Sequence, residues 1–90
     1  MIARYGGEEF ACLLPGVQLE EAVKIAEQMR EDVEAQRIPV PGTPEYVTVT
    51  ISAGVAALIL ESEADMHELL RVADVALYRA KGDGRNLVRT

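Results

Sequence analysis

An α+β fold, with helices packed on one face of an antiparallel sheet in a two-layer sandwich, is what this sequence predicts from three observations. Two short apolar runs flank a Gly-Gly pair near the start, which is the pattern of a hairpin. The segment Tyr46–Val55 alternates apolar and polar residues with a period of two. Two longer segments repeat apolar residues every three or four positions. Strands and helices in that mixture bury their apolar faces against each other in layers. Ninety residues suffice for one small domain, 1–90, and a chain of this length buries only about 60–65% of its unfolded surface, so every element matters to stability.

Composition narrows the function. Apolar residues make up 49% and charged residues 27%, which is ordinary for a globular protein and argues against disorder. A net charge of −6 excludes a basic surface for a nucleic-acid polymer, yet a mononucleotide needs only a few local cations and a metal. The single cysteine excludes an internal disulfide and fits a reducing, cytoplasmic compartment. No signal-peptide pattern stands at the start. The longest uncharged run, Tyr46 to Leu60, falls short of the roughly 20 residues that span a bilayer, so it reads as buried core and no membrane contact is expected from this segment.

In chain order, Met1–Tyr5 and Phe10–Leu14 are the predicted hairpin arms around Gly6-Gly7, because a tight primed turn needs positive φ that glycine adopts freely. Phe10, Cys12 and Leu14 share a strand face, which makes Cys12 a small core residue, and Pro15-Gly16 ends the strand. From Gln18 to about Ala35, Leu19, Ala22, Val23, Ala26, Met29, Arg30 and Val33 recur at helical spacing, and all but Arg30 are apolar; this helix is a packing element. Pro39, Pro41, Gly42 and Pro44 mark a loop. Tyr46–Val55 follows as one long strand, with Gly54 suggesting a bulge or a close backbone approach. Asp65 and Glu68 predict a capping box at the start of the last helix, whose stripe is Met66, Leu69, Leu70, Ala73, Ala76, Leu77 and Ala80. His67, with no second ligand type at metal spacing, reads as an exposed residue of the first turn. The run Lys81–Asn86 closes that helix, and Leu87-Val88 adds a short strand.

Two places could carry chemistry. Gly6-Gly7-Glu8-Glu9 offers bare backbone beside two carboxylates, the outline of a site for a phosphate and a hard cation; residue types alone equally describe a plain turn with two solvated glutamates. Adjacent strand residues point to opposite faces, so one glutamate is the principal ligand unless the turn re-aims the other. Lys81 and Arg85 suit a clamp on a polyphosphate, or simply a helix end where a glycine caps and Lys81 meets the negative end of the dipole.

Three blocks, taken together, carry a resemblance. Arg4-Tyr5-Gly6-Gly7-Glu8-Glu9-Phe10, then Val49-Thr50-Ile51-Ser52-Ala53-Gly54-Val55-Ala56, then Ala73-Asp74-Val75-Ala76-Leu77-Tyr78-Arg79-Ala80-Lys81-Gly82-Asp83-Gly84-Arg85-Asn86 are similar, in order and separation, to the signature segments of the GGDEF family, the diguanylate cyclases. The resemblance runs from Ile2 to the end of the chain. It implies a palm, ferredoxin-like sheet and a bacterial second-messenger transferase that joins two GTP molecules into cyclic di-GMP, with a divalent cation, Mg²⁺ or Mn²⁺, as cofactor. By position, Gly6 and Gly7 approach the nucleotide, and Glu8 is the catalytic carboxylate and first metal ligand. Glu9 is a second ligand, and Lys81 and Arg85 bind phosphate. The family pattern also places a first strand with a metal-binding aspartate, guanine-recognising helices and the RxxD product-inhibition motif upstream of Met1. The chain is therefore expected to be a C-terminal part of the catalytic domain, with little or no turnover alone, in a parent that upstream segments could anchor to a membrane. A homodimer is implied, strand-exchanged in this segment because two sheet edges would lie open. The alternative reading is a non-catalytic module that binds GTP or cyclic di-GMP, or that only oligomerises.

Overall fold

The computed structural model describes residues 2–4 and 9–90, with the side chains of Ala3 and Arg4 left aside. The fold is α+β. Its elements are β1 (Ile2–Arg4), β2 (Phe10–Cys12), α1 (Leu19–Ala35), β3 (Ile38–Pro39), β4 (Tyr46–Val47), β5 (Ala53–Gly54), α2 (Glu63–Gly82) and β6 (Val88–Arg89). Among the described residues the strands form three separate pairs rather than one sheet. β1–β2 and β3–β4 are antiparallel, whereas β5 and β6 run parallel, with Ala53 opposite Val88.

The interior lies where α2 crosses the β5–β6 pair. Ala76 and Ala80 are fully buried and Val88 nearly so, and small residues at that crossing let backbones come close. Gly54 makes the approach possible: a Cβ there would lie 2.9 Å from Leu77 Cα, and closer still to the Ala73 carbonyl oxygen and the Leu77 nitrogen. Of the two readings of Gly54, close approach is the one observed. Elsewhere packing is thin. The radius of gyration is 14.9 Å, where a compact chain of this length has about 12 Å, and the molecule extends 52 × 24 × 22 Å.

α1 begins where the periodicity places it, with Gln18 as N-cap; its apolar stripe is half-buried, and Leu19 and Met29 remain exposed. α2 starts earlier than predicted. Ser62, not Asp65, is the N-cap: its hydroxyl accepts from the Asp65 amide at 3.3 Å, while Asp65 reaches back to accept from the Glu61 amide at 2.9 Å. This is a variant of the capping box, in which the Asp65 carboxylate returns to the amide before the N-cap rather than to that of the N-cap itself, and it lies one turn earlier than the Asp65–Glu68 spacing suggests. His67 is exposed, as expected.

Other expectations fail for identifiable reasons. The long strand Tyr46–Val55 is cut in two, because its ends find partners in β3 and β6 while residues 48–52 form no ladder among the described residues. Pro39 lies in β3 rather than in a loop; proline is tolerated in so short an edge pair, and Arg37 stacks 4.8 Å from the Tyr46 ring centroid to hold it. The run Tyr46–Leu60 is not buried core: Val47, Val49, Leu58, Leu60 and above all Ile59 are exposed. The β2 face is open as well, with Phe10 70% exposed and Cys12 exposed, since the β1–β2 hairpin packs chiefly on itself. The terminal strand is displaced by one residue, to Val88–Arg89.

Candidate functional site

The C-terminal end of α2 is built to a specific pattern. Asp83 is the C-cap, the Gly84 amide donates to the Lys81 carbonyl at 3.4 Å, and the Arg85 amide donates to the Ala80 carbonyl at 3.0 Å. That crossed pair is a Schellman closure, and Gly84, with φ of 127°, occupies its left-handed position, as only glycine does without strain. Arg85 and Asn86 continue with φ of 63° and 53°. Two successive non-glycine residues there cost of the order of 1 kcal/mol each and persist only where surroundings over-determine them.

The closure aims its two cations at one place. Lys81, Arg85, Leu77, Glu9, Phe10 and the segment Thr50–Ser52 line a cleft of about 270 Å³. A second hollow of about 230 Å³, lined by Glu9, Asp74, Leu77, Tyr78 and Lys81, adjoins it. Glu9 Oε2 lies 3.6 Å from Lys81 Nζ, both side chains 31% exposed, so the residue before β2 meets α2 through a partly screened ion pair. Arg85 is exposed and forms no ion pair with the described residues. It is a planar donor fork open to an anion.

Three of the six predicted site residues, Glu9, Lys81 and Arg85, are thus brought together from opposite ends of the chain. Gly6, Gly7 and Glu8 lie outside the described residues; Arg4 pairs with Phe10 in the hairpin register, leaving residues 5–9 between them. Among the described residues no group of three or more histidine, cysteine or carboxylate side chains is disposed to hold a metal. Glu9 is the one carboxylate among the described residues that line this cleft, and a hard cation can take a single carboxylate and complete its shell with other oxygen ligands.

Sequence reasoning missed Arg30 and Asn86. Arg30, 16% exposed on α1, donates to Glu27 at 3.0 and 3.2 Å and to the Asn86 Oδ1 at 3.0 Å. The signal was present, in that an arginine interrupts the apolar stripe of α1.

A family model described as diguanylate cyclase, GGDEF domain, matches residues 1–87. The chain is 42% identical over 85 residues to the response regulator PleD of Caulobacter vibrioides, covering 94% of this chain and 18% of PleD. It is 42% identical over 88 residues to diguanylate cyclase DgcM of Escherichia coli K12, covering 98% and 20%. With the probable diguanylate cyclase DgcT of the same strain, identity is 44% over 91 residues, covering 98% and 19%. The class defined by fold and site is therefore an α+β domain with a cation-lined cleft. The chain belongs to the diguanylate cyclase GGDEF domain family. It spans about a fifth of the length of these relatives. No helix among the described residues is long and apolar enough to cross a membrane.

Proposed function

We propose that residues 1–90 form part of the catalytic domain of a diguanylate cyclase, in which two GTP molecules become cyclic di-GMP and two pyrophosphates. The observation that carries the reading is the meeting of Lys81, Arg85 and Glu9 around one cleft. Two cations side by side suit the charge of a triphosphate and of the pyrophosphate that leaves. At about 270 Å³ the cleft has room for the phosphates.

In this reading Gly6 and Gly7 let the backbone approach the nucleotide, and Glu8 and Glu9 hold a divalent cation, Mg²⁺ or Mn²⁺. The cation, when bound, neutralises charge on the phosphates. Glu8 accepts the proton of one GTP's 3′-hydroxyl as that oxygen attacks the α-phosphorus of the other, and the bond to pyrophosphate breaks in line. Repeating the step in the opposite sense closes the ring. Lys81 and Arg85 hold the leaving phosphates. Each GTP comes from one copy, so the working unit is a homodimer in the cytoplasm. The unladdered segment 48–52 and the open β2 face are where a second copy could exchange strands.

GTP and Mg²⁺ incubated with the protein, followed by chromatography for cyclic di-GMP, tests the reading. The isolated 90 residues should give little or no product, a longer chain carrying them should give it, and Glu8→Gln should abolish it. Product unaffected by Glu8→Gln would refute the assignment. GTP binding without turnover in the longer chain would favour a binding module, and a mass that stays monomeric at high concentration would remove the strand exchange.

A further inference from the structure

We propose that Arg30 and Asn86 are positioning residues that lock Arg85 toward the cleft, a role that rests on the phosphate-binding reading of Arg85. Asn86 is gripped by three hydrogen bonds, two to α1 and one to the segment ahead of β5. Its Oδ1 accepts from Arg30 Nη1 at 3.0 Å, its Nδ2 donates to Glu34, and its backbone amide donates to the Ser52 hydroxyl at 3.1 Å. Arg30 and Glu34 stand one turn apart on α1, so the two ends of the Asn86 amide meet a matched donor and acceptor on the same helix face.

This grip explains a backbone that would otherwise relax. Arg85 and Asn86 both hold positive φ, and among the described residues no side-chain tie of Arg85 itself fixes it there. On one side the Schellman closure anchors the Arg85 amide to Ala80; on the other, Asn86 is fastened to α1 and to Ser52, and Val88 enters the parallel pair with Ala53. With both flanks held, the Arg85 guanidinium is presented beside Thr50–Ser52 with little freedom left to lose when an anion binds.

Arg30 itself is unsuited to bind the anion. Glu27, Glu31 and Glu34 lie 3.0, 3.8 and 3.8 Å from its guanidinium, so its charge is already surrounded by carboxylates. What it has to give is direction. A helix assigned only to packing thereby reaches the phosphate wall of the cleft through one side chain.

The test combines amide hydrogen exchange with titration of GTP in the presence of Mg²⁺. Arg30→Met keeps the aliphatic stem and removes the donors; Asn86→Gly keeps the positive φ and removes the amide. Both should speed exchange of the Arg85 and Asn86 amides about tenfold while Ala76 and Ala80 stay protected, and both should weaken GTP binding about tenfold. In an Arg85→Ala background the same substitutions should change affinity less than about twofold, because nothing remains to be positioned. Unchanged exchange at Arg85 and Asn86 overturns the lock. Equal losses of affinity with and without Arg85 overturn it as well, leaving Arg30 a purely structural tie. If Arg85→Ala alone leaves GTP affinity unchanged while exchange responds, the phosphate reading fails and the lock stands.

Discussion

The β1–β2 hairpin and the C-terminal end of α2 face the same cleft but are held by different physics. The end of α2 is over-determined: buried Ala76 and Ala80 beneath it, a glycine-closed cap, the Asn86 tie to α1 and a parallel strand pair beyond. Among the described residues the Glu9–Lys81 pair ties the hairpin end to α2, while Phe10 and Ile2 are each 70% exposed. The wall that carries Lys81 and Arg85 is therefore rigid by construction, and the wall that carries Glu9 depends on what covers its apolar face. A site assembled from walls of unequal stability gains or loses function through the weaker one.

Substitutions can break this contrast. In the 90-residue chain Gly54→Val drives two methyls and a Cβ into the α2 backbone and should cost about 3 kcal/mol or more, read as the loss of midpoint in urea unfolding. Phe10→Ser, on the open hairpin face, should stay within about 0.5 kcal/mol. If the hairpin change costs as much as the helix change, the two walls are not unequal. Gly84→Ala, at φ of 127°, should cost roughly 1–3 kcal/mol and should raise exchange at Arg85 before it affects the core. Ser62→Ala removes the N-cap at the far end of α2 and should cost about 1 kcal/mol without altering the cleft.

The smallest expected effect concerns pH. The hydrogen bonds from Arg71 hold the Glu68 carboxyl below its ordinary value. A depressed carboxylate contributes stability above its unfolded pKa and loses it as pH falls through the folded one. Glu68→Gln should therefore trim stability slightly at neutral pH and not at all in strong acid. Because the pair is fully solvated, added salt should erase the difference.

The helices and the cleft's cations were legible in the sequence because their determinants are local. The stripe of α1, the glycine closing α2 and the two cations four residues apart each lie within a short stretch of chain. The strand Tyr46–Val55 was misread because alternation reports a two-faced segment but not whether a partner lies beside it; residues 46–47 and 53–54 have partners, and 48–52 have none among the described residues. Phe10 and Cys12 were placed in the core for the same reason: their pattern fits a buried face, and burial needs a second layer. Asp65 and Glu68 stand at capping-box spacing, and serine and aspartate are about equally good N-caps, so residue types alone do not place the cap at Ser62, three residues earlier. The Arg30–Asn86 bond joins residues 56 apart and has no short-range signature beyond the arginine that interrupts an apolar stripe.

The central claim, that both walls serve one phosphate–metal site, is tested most directly by titrating GTP with and without Mg²⁺ into the wild-type chain, Arg85→Ala and Glu8→Gln. Arg85→Ala should weaken binding about tenfold or more in both conditions, since in the proposed reading its guanidinium meets phosphate itself. Glu8→Gln should leave metal-free binding intact and remove the increment that Mg²⁺ adds. Equal affinities for all three proteins, or a Glu8→Gln loss that persists without Mg²⁺, would contradict the account.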